Sequence, residues 1–304
     1  METLIELEGA PTSDGTTEWF TLLGDGKGNR GVHLGTEVDG AFDDEPTESI
    51  WNSHAYQIGS TFGGIRINHR DVLFKAHIKK TSDASWETND SEWRKAWNYK
   101  KDSKLWVQTE TSRRHLPLRP FETPVAKPEF DPHGQEFGTI DMHCRAGKPR
   151  WLEPDVTKEW ISNTDTLDGS WNTGTIPVWN PTDTEIWLKW TVQAYPGAIY
   201  RLPDYSFGDD RYEMADEHAT RQIVMPELLA GEHLKVNTDE EDEQVASSID
   251  TQVWLRMNGV TFLYPVPPYQ KTKKYLPVSV KNAPAGVGVQ VRMPRTWTRP
   301  WGLQ

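Results

Sequence analysis

From Ile186 the chain alternates strictly, with Ile186, Leu188, Trp190 and Val192 in one phase and Glu185, Trp187, Lys189, Thr191 and Gln193 in the other. A period of two predicts a half-buried strand, because successive side chains leave opposite faces of the pleat. Asn180-Pro181 ahead of it predicts a turn, and Gly174–Trp179 before the turn a second strand. Trp171–Gln193 is therefore a strand–turn–strand unit with one apolar face, and the rest of the chain must supply its partner surface. The same alternation recurs in Thr3–Glu8 and in Asp71–Lys79, where Val72, Phe74, Ala76 and Ile78 share a face. Gln57–Lys80 as a whole reads as the first firm β region, broken at Gly63-Gly64. Lys104–Glu110 with His115–Arg119, then Gln135–Cys144, Gln222–Met225 and Glu232–Val236 read as further strands. Val253, Leu255 and Met257 lead into Asn258-Gly259, and Val260, Phe262 and Tyr264 continue the pattern. Asn-Gly favours positive φ at both central positions, so this stretch predicts a hairpin. Pro277–Lys281 and Val287–Met293 close the series.

One segment breaks to a helical period. Trp93, Ala96 and Trp97 share a face at the i, i+3, i+4 spacing, which predicts a helix over about Asp90–Lys100 with Asn89 as its cap and Glu92 three residues on. Turn-rich segments separate these elements. Gly24–Gly35 holds five glycines but lacks the Gly-Lys-Ser/Thr ending and strand–loop–helix context of a nucleotide site, so it predicts a surface loop. Asp39–Glu48 and the proline-rich Pro120–His133 also read as loops. GKPRWLEP (147–154) reads as a linker and places a boundary near Pro154. Residues 1–154 form a β domain with one helix, and 155–304 a nearly all-β domain whose short strands and frequent turns indicate a sandwich.

Composition narrows the function. The net charge of −12 disfavours broad nucleic-acid binding, which needs a basic surface, and equally an anionic membrane. No apolar run is long enough to span a bilayer. The start METLIELEGA lacks the basic and apolar regions of a signal peptide, which predicts synthesis and folding in a cytoplasm. A single cysteine, Cys144, excludes an intrachain disulfide. Five consecutive acids, Asp239 to Glu243, read as a solvated loop. Tryptophan stands out at 15 residues, and its large apolar area with one N–H donor suits interfaces and sugar platforms as well as cores. Trp171, Trp179, Trp187, Trp297 and Trp301 are the candidate partner or glycan contacts, the last two in an aromatic, basic tail suited to docking.

Catalytic patterns are missing. There is no GxSxG elbow and no HExxH, and His143-Cys144 would point to opposite faces of a strand. With 45 acids, some pair always falls at a glycosidase-like spacing, so none can be singled out. The expectation is no enzyme, no cofactor and no metal.

Several segments resemble the distal tail proteins of phages with long, non-contractile tails, especially the minor tail proteins of actinobacterial phages. In the second domain they are Asn172–Phe207, Leu228–Val245, Trp254–Pro268 and Ala285–Gly302. In the first they are Ile67–Ile78, the Trp93/Trp97 helix and Lys104–Glu110, with RAGKPRW (145–151) at the passage between domains. The resemblance implies an N-terminal β-barrel-like, ring-forming domain followed by a C-terminal galectin-like β-sandwich. It implies a virion structural protein that closes into a hexameric ring and joins the tail tube to the tail tip or baseplate. Its partners would be itself, the tail tube protein, the tape measure protein and tail-tip proteins. The family supplies no catalytic side chains. An acidic subunit suits a ring lumen through which DNA slides without sticking. The alternative is a carbohydrate-binding sandwich that recognises host surface glycans through exposed tryptophans.

Overall fold

The computed structural model describes residues 2–126, 128 and 130–304. The chain is mainly β and divides into two compact units. The first holds the residues up to Glu153 together with Trp297–Leu303, and the second Pro154–Thr296. No helix among the described residues is long and apolar enough to cross a membrane.

In the first unit the elements are β1 (Leu4–Glu8), β2 (Trp19–Leu23), β3 (Val32–Asp39), β4 (Thr47–Asn52), β5 (Thr61–Ile67) and β6 (Arg70–Lys79). There follow α1 (Trp86–Lys95), β7 (Ser103–Gln108), β8 (Arg113–Pro120), β9 (Val125–Ala126), α2 (Pro132–Gln135), β10 (Phe137–Ala146) and the start of β11 (Trp151–Ile161). Seven strands pair antiparallel in the order β2-β1-β7-β8-β10-β6-β3, a barrel-like wrap around one core. Val72, Phe74, Ala76 and Ile78 are buried as their alternation requires. Cys144 is buried among them, and burial pushes its thiol pKa up, which keeps it unreactive.

The helix begins earlier than its apolar spacing suggests. Ser85 Oγ accepts the Thr88 N–H at 3.2 Å and caps α1, so Asn89 lies inside the helix rather than before it. Asn89 is buried and donates from Nδ2 to the Lys79 carbonyl at 2.7 Å, tying α1 to the end of β6. Gly31 makes room for that contact. It sits at φ +76°, and a Cβ there would meet both Asn89 Nδ2 and the Lys79 carbonyl oxygen at 2.3 Å. Trp93 is buried edge-on to Phe20, with ring centroids 5.3 Å apart, and to Trp97 at 5.5 Å.

The linker expected at 147–154 is a turn leading into β11, so the chain passes from one unit to the other within a strand. The tail also departs from expectation, since Trp297–Leu303 belongs to the first unit. Two buried arginines hold it there. Arg70 donates to the carbonyls of Gly40 (2.7 Å), Asp43 (3.0 Å), Pro149 (2.9 Å) and Thr298 (2.9 Å). Arg114 donates to the Arg299 and Gly302 carbonyls at 2.8 and 2.9 Å and to Glu153 at 3.1 Å, while its guanidinium lies 3.7 Å from the Trp297 ring centroid.

After the remainder of β11, the second unit holds β12 (Asn172–Asn180), β13 (Lys189–Val192), β14 (Ile199–Pro203), β15 (Gln222–Val224) and β16 (Leu234–Asn237). Then come β17 (Val245–Ser247), α3 (Val253–Arg256), β18 (Gln270–Lys281) and β19 (Gly288–Trp297). Sheet β12-β18-β14-β15 faces strands β17-β16-β13-β19 across one apolar core. Ile186, Leu188, Trp190 and Val192 all point into it, although regular pairing starts only at Lys189. The preceding turn is built by Asn180, whose Nδ2 donates to the Thr184 carbonyl at 2.7 Å and whose Oδ1 accepts the Thr182 N–H at 3.0 Å.

The expected hairpin around Asn258-Gly259 does not form. Both residues have positive φ, 51° and 76°, as the turn needs, but Val253–Arg256 is a helical turn and residues 260–264 form no strand. Side chains take the backbone groups that a ladder would have used. Gln244 accepts the Phe262 N–H and donates to its carbonyl, both at 2.9 Å. Asp204 accepts the N–H groups of Leu263 and Tyr264 at 3.1 and 3.2 Å. Burial pushes the Asp204 carboxyl above its ordinary pKa, against the opposing Arg221.

Candidate assembly surfaces

Between β3 and β6, which pair with each other, the chain makes an excursion whose start, Asp39–Glu48, the sequence predicts as loop and whose later part lies in the β region Gln57–Lys80. It is a two-stranded hairpin, β4 paired with β5, with Thr47 opposite Ile67, Ser49 opposite Ile65 and Trp51 opposite Phe62. Directly opposed side chains share a face. Trp51, Phe62, Ile65 and Ile67 therefore line one side, while Glu48 and Arg66 lie on the other. Trp51 and Phe62 meet edge to face at 5.5 Å. Every residue of β4 is exposed, and Trp51 and Ile65 each remain 59% accessible. In the connecting loop Tyr56 and Ile58 are fully exposed. An apolar face of this kind marks an interaction surface, and an isolated two-stranded hairpin is only marginally stable in water. The base of the arm is fixed, because Arg70 holds the carbonyls of Gly40 and Asp43. Two features hid this site in the sequence: the bulge between Ile50 and Trp51 breaks the alternation, and Gly63-Gly64 resembles a strand break.

The five tryptophans singled out from the sequence are not brought together. Trp297 is 1% accessible, a core residue beneath Arg114, so it is not a surface contact. Trp301 is 37% accessible and stacks on Phe42 at 5.2 Å in the first unit. Trp187 is half-buried. Trp171 and Trp179, at the two ends of β12, are half-buried and covered by cations. Arg201 lies 3.8 Å and Lys281 5.0 Å from the Trp171 centroid, and Lys273 and Arg295 lie 5.1 and 5.2 Å from that of Trp179. Cation–π contacts occupy ring faces that a sugar would need.

His143 and Cys144 take opposite faces of β10, Cys144 inward. His143 Nδ1 lies 3.4 Å from Glu122, and its Nε2 is 3.8 Å from Asp71. Arg145 engages Asp71 at 2.6 and 2.8 Å, and these hydrogen bonds hold the carboxyl below its ordinary pKa. That site is a surface network of ion pairs and polar contacts. Among the described residues no three His, Cys, Asp or Glu side chains converge as a metal ion would need.

No protein-family model matches the chain. Two curated relatives do, the minor tail protein Gp27 of Mycobacterium phage L5 and that of Mycobacterium phage D29. Each is 32% identical over 351 aligned positions that cover all of this chain and 99% of the relative. The chain belongs to the Gp27 minor tail protein family. It is a structural protein of the phage tail. Its fold matches the Dit protein (gp 19.1) of phage SPP1, described as a paradigm of hub adsorption apparatus in phages infecting Gram-positive bacteria. The TM-score is 0.57 at 10% identity, over 97% of this chain and 99% of the Dit chain.

Proposed function

We propose that the protein is a non-enzymatic distal tail hub subunit, made in the host cytoplasm, that closes into a hexameric ring between the tail tube and the tail tip. The observation that carries this reading is the β4–β5 arm, whose Trp51, Phe62, Ile65 and Ile67 face is left uncovered by its own chain. Its occupant is a second copy, since a head-to-tail contact repeated around an axis closes a ring. Burying what remains exposed of each of these side chains contributes about 1 kcal/mol, which favours association against the entropy of joining. The tail tube, tape measure and tail-tip proteins are the further partners. The sandwich, galectin-like in this reading, projects from the ring. The glycan alternative lacks support from Trp171 and Trp179, whose faces already carry cations.

Light scattering after size-exclusion chromatography tests this. The protein is expected at six times 34.8 kDa, or on a concentration-dependent path to it. The Trp51→Ser/Ile65→Asp double variant is expected to stay monomeric and to melt at the temperature of the dilute, unassembled wild-type chain. A wild-type chain that is monomeric at high concentration, or a double variant that assembles equally well, contradicts the reading.

A further inference from the structure

The outer face of sheet β12-β18-β14-β15 carries positive charge that no ion pair among the described residues neutralises. Leu276, Val278 and Val280 of β18 point into the core, so Lys271, Lys273, Tyr275 and Lys281 point outward. The outer face of this sheet carries four cations (Arg201, Lys271, Lys273 and Lys281), Lys274 standing in the phase of the core residues, and its strands contain no acid, in a chain of net charge −12. The ion pairs of this unit use Arg211, Arg221, Arg256 and Arg292. Among the described residues none engages those four. Trp171 and Trp179, about 26 Å apart at the rise of a strand, give the face an aromatic floor at each end, and Tyr275 stands exposed between them.

The complementary charge lies elsewhere in the same unit. Asp239 to Glu243 connect β16 to β17, and Glu240, Glu241, Asp242 and Glu243 are exposed. No cation lies in salt-bridge range of the block among the described residues, and its hydrogen bonds are local, from Asn237 to Asp242 at 2.7 Å and from the Glu241 N–H to Asp239 at 3.1 Å. Further acids crowd this end. The Tyr212 phenol is pushed up first by burial and then by Glu185, with smaller effects from Asp209 and Glu240 against Arg211. Five like charges in a row repel one another, and that repulsion is relieved by a cationic surface.

We propose that in the ring the acidic 239–243 loop of one copy seats on the cationic β18 face of the next. This rests on the ring proposed above and adds a second, electrostatic contact to the apolar arm. The two patches differ, so the contact is heterologous and repeats head to tail. Its energy is modest, because exposed ion pairs contribute little each; its role is to fix register and speed correct encounter.

The test is zero-length carbodiimide coupling of an equal mixture of isotopically light and heavy full-length protein, followed by peptide mass spectrometry. Mixed-isotope links from the 239–243 carboxylates to Lys271, Lys273 or Lys281 are expected in the oligomer. Lys273→Glu/Lys281→Glu should weaken assembly roughly tenfold and flatten its salt dependence, and reversing Glu240 and Glu241 to Lys in that background should restore both. Rings that form with no such links, and are indifferent to the reversal, overturn this contact while leaving the ring itself standing. Failure of the wild-type chain to associate overturns both. Retention on sulfated dextran that is lost in Lys273→Glu/Lys281→Glu, with no cross-copy links, would assign the face to an anionic glycan instead.

Discussion

Arg70 and Arg114 each order a segment far away in sequence by donating to main-chain carbonyls. Arg70 joins the base of the arm to the turn at Pro149 and to Thr298, and burial alone depresses its pKa while Asp43, Asp44 and Glu45 oppose this. Arg114 holds the tail at Arg299 and Gly302 and covers Trp297. Replacing Arg114 with Met keeps apolar bulk but leaves buried carbonyls unpaired. It should cost about 3–5 kcal/mol in urea unfolding and expose the bond after Arg295 to trypsin. His115 is a second sensitive point. Burial first, then nearby Lys104, push it down to about 4 from 6.5, while Glu8 opposes, and its ring lies 4.4 Å from that of Trp106. The unfolded chain therefore binds this proton more readily than the folded one between those two pH values, so stability falls as pH drops from 6.5 towards 4 and is unaffected by this group above 6.5. His115→Gln should flatten denaturation midpoints across that window; an unchanged slope would show that His115 does not set it.

At the scale of elements, the β4–β5 arm and the helix α1 behave in opposite ways. Helix α1 is capped by Ser85, pinned through Asn89 and packed through Trp93, so it belongs to the global unfolding unit. Ser85→Ala should cost about 1 kcal/mol in denaturant unfolding. The arm has no core beneath it. Its amides should exchange with solvent quickly in the monomer and gain protection at Trp51, Phe62 and Ile65 on assembly, as read by hydrogen exchange at two protein concentrations. Protection that is the same in monomer and oligomer would mean the arm has no partner there. The region 257–264 illustrates a different competition. Asn258-Gly259 turns as its residues require, yet Gln244 and Asp204 offer better partners to Phe262, Leu263 and Tyr264 than a second strand does.

For the whole molecule, assembly sets apparent stability by mass action, so a ring melts at a temperature that rises with concentration. Dilution should lower the melting temperature of the wild-type chain and leave that of Trp51→Ser/Ile65→Asp unchanged, in scanning calorimetry.

The sequence by itself determined which faces are buried. The period-two runs at Asp71–Lys79 and Ile186–Val192 and the burial of Trp93 are local consequences of pleat and helix geometry, and those side chains point as read, while Trp97 lies past the end of α1 at Lys95. It also carried the family, through residues spread along the whole chain. Three matters waited for the tertiary structure, each because the deciding partner is remote. The tail docks in the first unit because Arg70 and Arg114 lie 228 and 188 residues from the carbonyls they hold at Thr298 and Gly302. The hairpin at Asn258-Gly259 is replaced because Asp204 and Gln244 arrive from other strands' loops. The apolar face of the arm exists only once a bulge realigns Trp51 with Phe62, and whether such a face is core or contact depends on what the folded chain leaves uncovered.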